Sequence, residues 1–116
     1  MVSILLVDDD ESNRVTLSVL LEEEGYQVEV ASSFEEAKGK LAGAASYDLV
    51  LLDQHLGDGL GSELVPEARA RWPRTKLLLI SGSIADRTGM GQLFDAIVPK
   101  GAAFPDVLAL VKSALR

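Results

Sequence analysis

Short runs of uninterrupted apolar residues recur along the chain, and each stops at a polar residue. Ile4-Leu5-Leu6-Val7 meets Asp8-Asp9-Asp10, Leu49-Val50-Leu51-Leu52 meets Asp53, and Leu77-Leu78-Leu79-Ile80 meets Ser81-Gly82-Ser83. A shorter run, Ala96-Ile97-Val98, leads into Pro99-Lys100-Gly101. A strand with one wet face alternates polar and apolar residues. A strand that does not alternate is buried on both faces, as in a parallel sheet covered by helices on two sides. Tyr26 to Ala31 alternates more, with Val28 and Val30 apolar, and reads as an edge or half-buried strand.

Helical patterns fill the gaps between these runs. Asp10 or Ser12 can cap a helix running to about Glu24, with Gly25 closing it. Ser33 followed three residues later by Glu36 is a capping box that opens a helix to about Leu41. Leu60, Leu64, Ala68 and Trp72 recur every four residues, which predicts a helix ending before Pro73. Pro105 suits a first helical position, with Phe104, Leu108, Val111 and Leu115 along one face behind it. Ile84 to Phe94 is a further helical segment, weakened by Gly89 and Gly91. Five strands alternating with five helices predict an α/β fold, a flavodoxin-like doubly wound parallel sheet in the order 2-1-3-4-5. At 116 residues the chain is expected to be a single domain over 1–116.

Composition narrows the function. Eleven basic against eighteen acidic residues give a net charge of −7, which suits neither nucleic acid nor an anionic membrane surface. Without cysteine there are no disulfides, thiolate nucleophiles or zinc–sulfur sites, and a reducing compartment is consistent with this. No apolar run approaches the ~18 residues of a membrane span.

In the expected topology the strand ends converge. Asp8 and Asp9 end the first strand, Asp53 the third, Ser81 the fourth and Lys100 the fifth. The first and third strands are neighbours about 4.8 Å apart, so Asp53 shares a pocket with the acidic pair. Three crowded carboxylates require a proton or a cation among them, and oxygen ligands alone favour Mg²⁺ or Mn²⁺ over zinc. Lys100 and the Ser81 hydroxyl could serve a phosphoryl group, with Asp53 as the nucleophile that becomes an acyl phosphate. Taken singly, each residue has an ordinary alternative as turn former, cap or surface charge.

Together these motifs resemble those of response-regulator receiver domains, the CheY-like phosphoacceptor modules of two-component signalling. The resemblance covers essentially the whole chain. Asp8 and Asp9 match the family's metal-binding pair, Asp53 the phosphorylated position, Gly61 the glycine of the following loop, Ser81 the switch hydroxyl and Lys100 the lysine ending the fifth strand. The resemblance implies a cytoplasmic protein that takes a phosphoryl group onto Asp53 from a histidine kinase or histidine phosphotransfer protein. It implies Mg²⁺ held by Asp9, Asp53, the backbone carbonyl of His55, and Asp8 through water. Self-catalysed phosphotransfer and autodephosphorylation follow from it, as does repacking of the face formed by the fourth helix, fifth strand and fifth helix. No DNA binding is expected of this domain.

Some positions depart from the family pattern. Leu56-Gly57 stands where Met-Pro is usual, and loss of that proline is expected to loosen the loop. Gly101 follows Lys100 where proline is usual, and Ile97 occupies an aromatic switch position. Two other readings stand beside the main one. The first is a receiver-like interaction module that works without phosphorylation. The second is a haloacid-dehalogenase-like phosphohydrolase, with Asp8-x-Asp10-x-Ser12 as its nucleophile motif.

Overall fold

A computed structural model describes residues 1–43, 46–82 and 93–116. The strands are β1 (Ser3–Val7), β2 (Gln27–Ala31), β3 (Leu49–Asp53), β4 (Lys76–Ser81) and β5 (Ala96–Pro99). All pair in parallel, in the order β2-β1-β3-β4-β5. The helices are α1 (Glu11–Glu23), α2 (Phe34–Ala42), α3 (Val65–Arg71, after a 3₁₀ turn over Gly61–Leu64) and α4 (Phe104–Leu115). Four α-helices are thus described where five are expected. The remaining expected helix, over Ile84 to Phe94, lies outside the described residues except for its last two. Of those, Phe94 is buried in the core and Leu93 is exposed.

The unbroken apolar runs build two cores. Side chains alternate across a strand, so one run feeds both faces of the sheet. Leu5, Val7, Val50, Leu52, Leu77 and Leu79 point to the side covered by α2 and α3. Ile4, Leu6, Leu49, Leu51, Leu78 and Ile80 point to the side covered by α1 and α4. Each fully buried leucine contributes about 1.5–3 kcal/mol relative to exposure. Polar residues therefore accumulate at the strand ends, and there the site lies.

Local chemistry sets the boundaries. The Asp10 carboxylate caps α1 by accepting from the Asn13 amide at 3.1 Å, and Gly25, at φ +93°, carries the chain away. Ser33 caps α2 as expected, but Glu36 reaches back to the Ser32 amide at 2.5 Å, so the box closes one residue early. The helix expected from Leu60 begins as a 3₁₀ turn because Pro66 lacks an amide hydrogen and its ring would clash with the carbonyl four residues earlier. On α4 the buried face runs through Phe104, Val107, Val111 and Leu115, with Val107 in place of the expected Leu108. β2 is an edge strand, with Val28 packed and Val30 exposed.

Gly61 is where the fold meets the site most closely. Its amide donates to the Gln54 carbonyl at 2.8 Å, and a Cβ there would strike the Asp53 carbonyl and the Leu52 side chain. Gly61→Ala is therefore expected to destabilise the protein by about 1–3 kcal/mol, as overpacking does. Urea unfolding checks this, with Gly39→Ala, which meets nothing within 4 Å, as the tolerant comparison.

Candidate functional site

The expected convergence occurs at the carboxyl ends of β1, β3, β4 and β5. The register pairs Val7 with Leu52 and Asp53 with Ile80, so Asp8 and Asp53 emerge side by side. Asp8, Asp9 and Asp53 each offer a carboxylate oxygen, and these oxygens lie within 4.8 Å of one another. Asp8 and Asp53 are buried and Asp9 is exposed. The Lys100 ammonium reaches Asp53 Oδ2 at 3.1 Å across β4. Ser81 is buried at the end of β4, and its carbonyl accepts from the Lys100 amide at 2.9 Å. His55 is exposed, and its amide donates a long bond of 3.4 Å to Asp53 Oδ1.

The electrostatics follow from the crowding. Burial pushes the Asp8 carboxyl above the usual aspartate value, and the charges of Asp53 and Asp9 add to this. The Asp10 amide, which donates to Asp8 Oδ1 at 2.9 Å, and the Lys100 charge oppose the shift without cancelling it. Burial draws the Lys100 ammonium down, but its hydrogen bond to Asp53 and the charges of Asp53, Asp8 and Asp9 outweigh this and leave it above the usual lysine value. Lys100 therefore remains a cation throughout the neutral range. A hard-oxygen donor set of three carboxylates, two of them desolvated, fits a divalent cation of the Mg²⁺ type.

Sequence reasoning missed several supporting groups. Arg14 Nη1 donates to the Asp8 carbonyl at 2.9 Å, fixing the end of β1. Gln54 exchanges two bonds with Ser62, donating from Nε2 to Oγ at 3.1 Å and accepting at Oε1 from the Ser62 amide at 2.9 Å. The loop after β3 is tied by backbone bonds where a proline is expected. The Leu56 amide donates to the Gly59 carbonyl at 3.1 Å, Gly57 has φ +82°, and His55 bridges Leu60 in antiparallel fashion. This is a tight hairpin loop whose left-handed position is held by Gly57. Proline could not adopt that φ. The flanked Gly57-Asp58 pair was the signal for it. After β5 the Ala102 amide donates to the Pro99 carbonyl at 3.1 Å with Gly101 at φ +86°, the pattern of a type II turn that presents Lys100. Asp58 accepts from the Phe34 and Glu35 amides, and these bonds, Phe34's first, hold its carboxyl below the usual aspartate value. Asp10, needed by the phosphohydrolase motif, is spent as the α1 cap and lies outside the carboxylate cluster.

Comparison with known proteins agrees with this geometry. Residues 4–99 match the family model of the response regulator receiver domain. The chain belongs to that family. A CpxR homolog, a transcriptional regulatory protein of Haemophilus influenzae, is 38% identical over 119 residues, covering 100% of this chain and 51% of its own length. The photosynthetic apparatus regulatory protein RegA of Rhodobacter capsulatus is 34% identical over 80 residues, covering 69% of this chain and 43% of its own. The chain thus spans about half the length of these curated relatives, or less. Among solved structures, the response regulator TrrA of Thermotoga maritima in complex with Mg²⁺-BeF superposes with a TM-score of 0.90 at 33% identity, covering 99% of this chain and 100% of that one. A response regulator of Burkholderia pseudomallei with a phosphorylated aspartic acid and a calcium ion gives a TM-score of 0.85 at 32% identity, covering 100% and 67%. Among the described residues no helix is long and apolar enough to cross a membrane.

The raised Asp8 carboxyl carries a sign. A folded value above the unfolded one gives stability that is present below the unfolded value and lost as pH rises through the folded value. Asp8→Asn, which keeps an acceptor for the Asp10 amide, should therefore stabilise the metal-free protein at pH 7. The gain should shrink as the pH falls through the raised folded value and be gone at the ordinary aspartate value. Denaturant midpoints across that range measure it.

Proposed function

We propose that this receiver domain accepts a phosphoryl group on Asp53 from the phosphohistidine of a histidine kinase or histidine phosphotransfer protein, with Mg²⁺ as cofactor. The observation that carries the reading is the Lys100–Asp53 pair set beside the Asp8 and Asp9 carboxylates. Asp8, Asp9, Asp53 and the backbone carbonyl of His55 would hold the cation. Bound there, it offsets the charge of the carboxylates and of the incoming phosphoryl oxygens.

The remaining work falls to the chain itself. One Asp53 oxygen attacks phosphorus, the phosphorus–nitrogen bond of the donor breaks, and the imidazole leaves with the electron pair. The Asp53 side chain is 2% exposed and that of Lys100 43% exposed. Lys100 is therefore the movable partner. Shifting its ammonium from the carboxylate to the phosphoryl oxygens opens the nucleophile without leaving a charge unpaired. The Ser81 hydroxyl is the second donor to the phosphoryl group, and its engagement is the switching step. Hydrolysis of the acyl phosphate resets the site. A cytoplasmic location goes with such donors, and residues 1–116 act as one receiver unit. Nucleic acid is not a partner of this domain, in keeping with the net charge of −7.

Acetyl phosphate or phosphoramidate with Mg²⁺ should add one phosphoryl group, read by intact mass. Asp53→Asn and Asp53→Ala should abolish the addition. Lys100→Ala should slow labelling by roughly 100-fold, the scale seen when one charge-stabilising donor is removed. Full labelling of Asp53→Ala would show that the phosphoacceptor is another residue.

A further inference from the structure

The hairpin that follows Asp53 is clasped by a helix that contributes no other group to the site. An α-helix begins with amides that have no helical partner. At α2 those of Phe34, Glu35 and Glu36 are all satisfied by side chains. Ser33 Oγ accepts from Glu36 at 3.1 Å. Asp58, more than twenty residues further on, accepts from Phe34 at Oδ1 (2.8 Å) and from Glu35 at Oδ2 (3.2 Å). A second contact seals the clasp. Gly59 lies so close to the Phe34 ring that a Cβ would overlap it. An isolated two-stranded hairpin is marginal in water, so these external ties help to order the turn.

We propose that Asp58 is a positioning residue of the phosphoacceptor site. It holds the His55–Leu60 hairpin against α2, so that the His55 backbone stays in place beside Asp53, and occupation of the site is felt at the first turn of α2. This rests on the reading of the acidic pocket as a cation and phosphoryl site. Three features support it. His55 and Leu60 form the bridge at the base of the hairpin, while Asp58 lies at its tip. His55 is already bonded through its amide to Asp53 Oδ1. The turn has no proline to stiffen it, so the carboxylate clasp does that work. Coupling between sites is reciprocal. If the clasp raises affinity for the cation, the cation must protect the Phe34 and Glu35 amides.

The test uses the full chain, Mg²⁺ calorimetry and amide hydrogen exchange. In the wild type, Mg²⁺ should slow exchange at Phe34 and Glu35. Asp58→Ala should raise the Mg²⁺ dissociation constant by about tenfold, as loss of an outer-shell support does. It should also remove the Mg²⁺-dependent protection of α2. Asp58→Asn, which keeps an acceptor and loses the charge, should fall between. Gly57→Ala, which keeps the charge and strains a residue at φ +82°, should weaken binding in the same direction. Both conservative variants keep the test decisive if Asp58→Ala does not fold. A folded variant set with Mg²⁺ affinity within about twofold of wild type and α2 exchange indifferent to Mg²⁺ overturns the proposal. Equal weakening in Asp58→Asn and Asp58→Ala, with Gly57→Ala normal, also overturns it, since charge alone would then be responsible. Failure of the wild type to bind Mg²⁺ at all overturns the cation-site reading and the proposal with it.

Discussion

Two carboxylates, Asp8 and Asp53, are buried next to one another at the end of adjacent strands, with a third, Asp9, at their edge. Removing such groups from water and crowding them together works against folding. Everything around them is arranged to offset that. The Lys100 ammonium pairs with Asp53, the Asp10 amide bonds to Asp8, and Arg14 fixes the backbone between them. The compensation is incomplete, because Asp8 stays above its usual proton affinity. A divalent cation among the three carboxylates, as proposed above, would offset what remains.

The sheet supplies the rigidity that makes this tolerable. β1, β3 and β4 are covered on both faces, so the strand ends cannot drift apart to relieve the repulsion. Ile97, in the position where the family often carries an aromatic, packs half-buried against the core shared with α2 and α3. It has neither a ring to swing nor a hydroxyl to re-pair.

Much of this was legible in the sequence because it depends on period and on strand-end chemistry. Apolar runs without alternation gave the buried strands, and their terminal residues gave the site. Asp10, Ser33 and Gly25 marked helix ends because their chemistry is local. What escaped depends on tertiary placement. Val30 is apolar yet exposed, since an edge strand is covered on one side at most. Of the four-residue repeat from Leu60 to Trp72, Leu64 and Ala68 are buried, but Leu60 is exposed and precedes the helical turns, and Pro66 forbids one continuous α-helix there. Val107 rather than Leu108 faces the core because the helix phase is set by docking. The partners of Asp58 lie 23 and 24 residues away, and no local pattern reveals them. The Leu56-Gly57 departure suggested a loosened loop, whereas the turn is held by bonds in place of a ring.

Gly57 and Gly101 flank the acidic pocket, both with positive φ, where related receivers usually have proline. Proline restricts the unfolded chain and glycine does the reverse, a difference of roughly 0.4–1 kcal/mol or more at each position. The two turns therefore keep their shape through hydrogen bonds made in the folded state rather than through covalent stiffness inherited from the unfolded one. Opening either turn therefore releases more chain entropy than opening a proline turn would, and the rim of the pocket rests on bonds that exist only in the folded state.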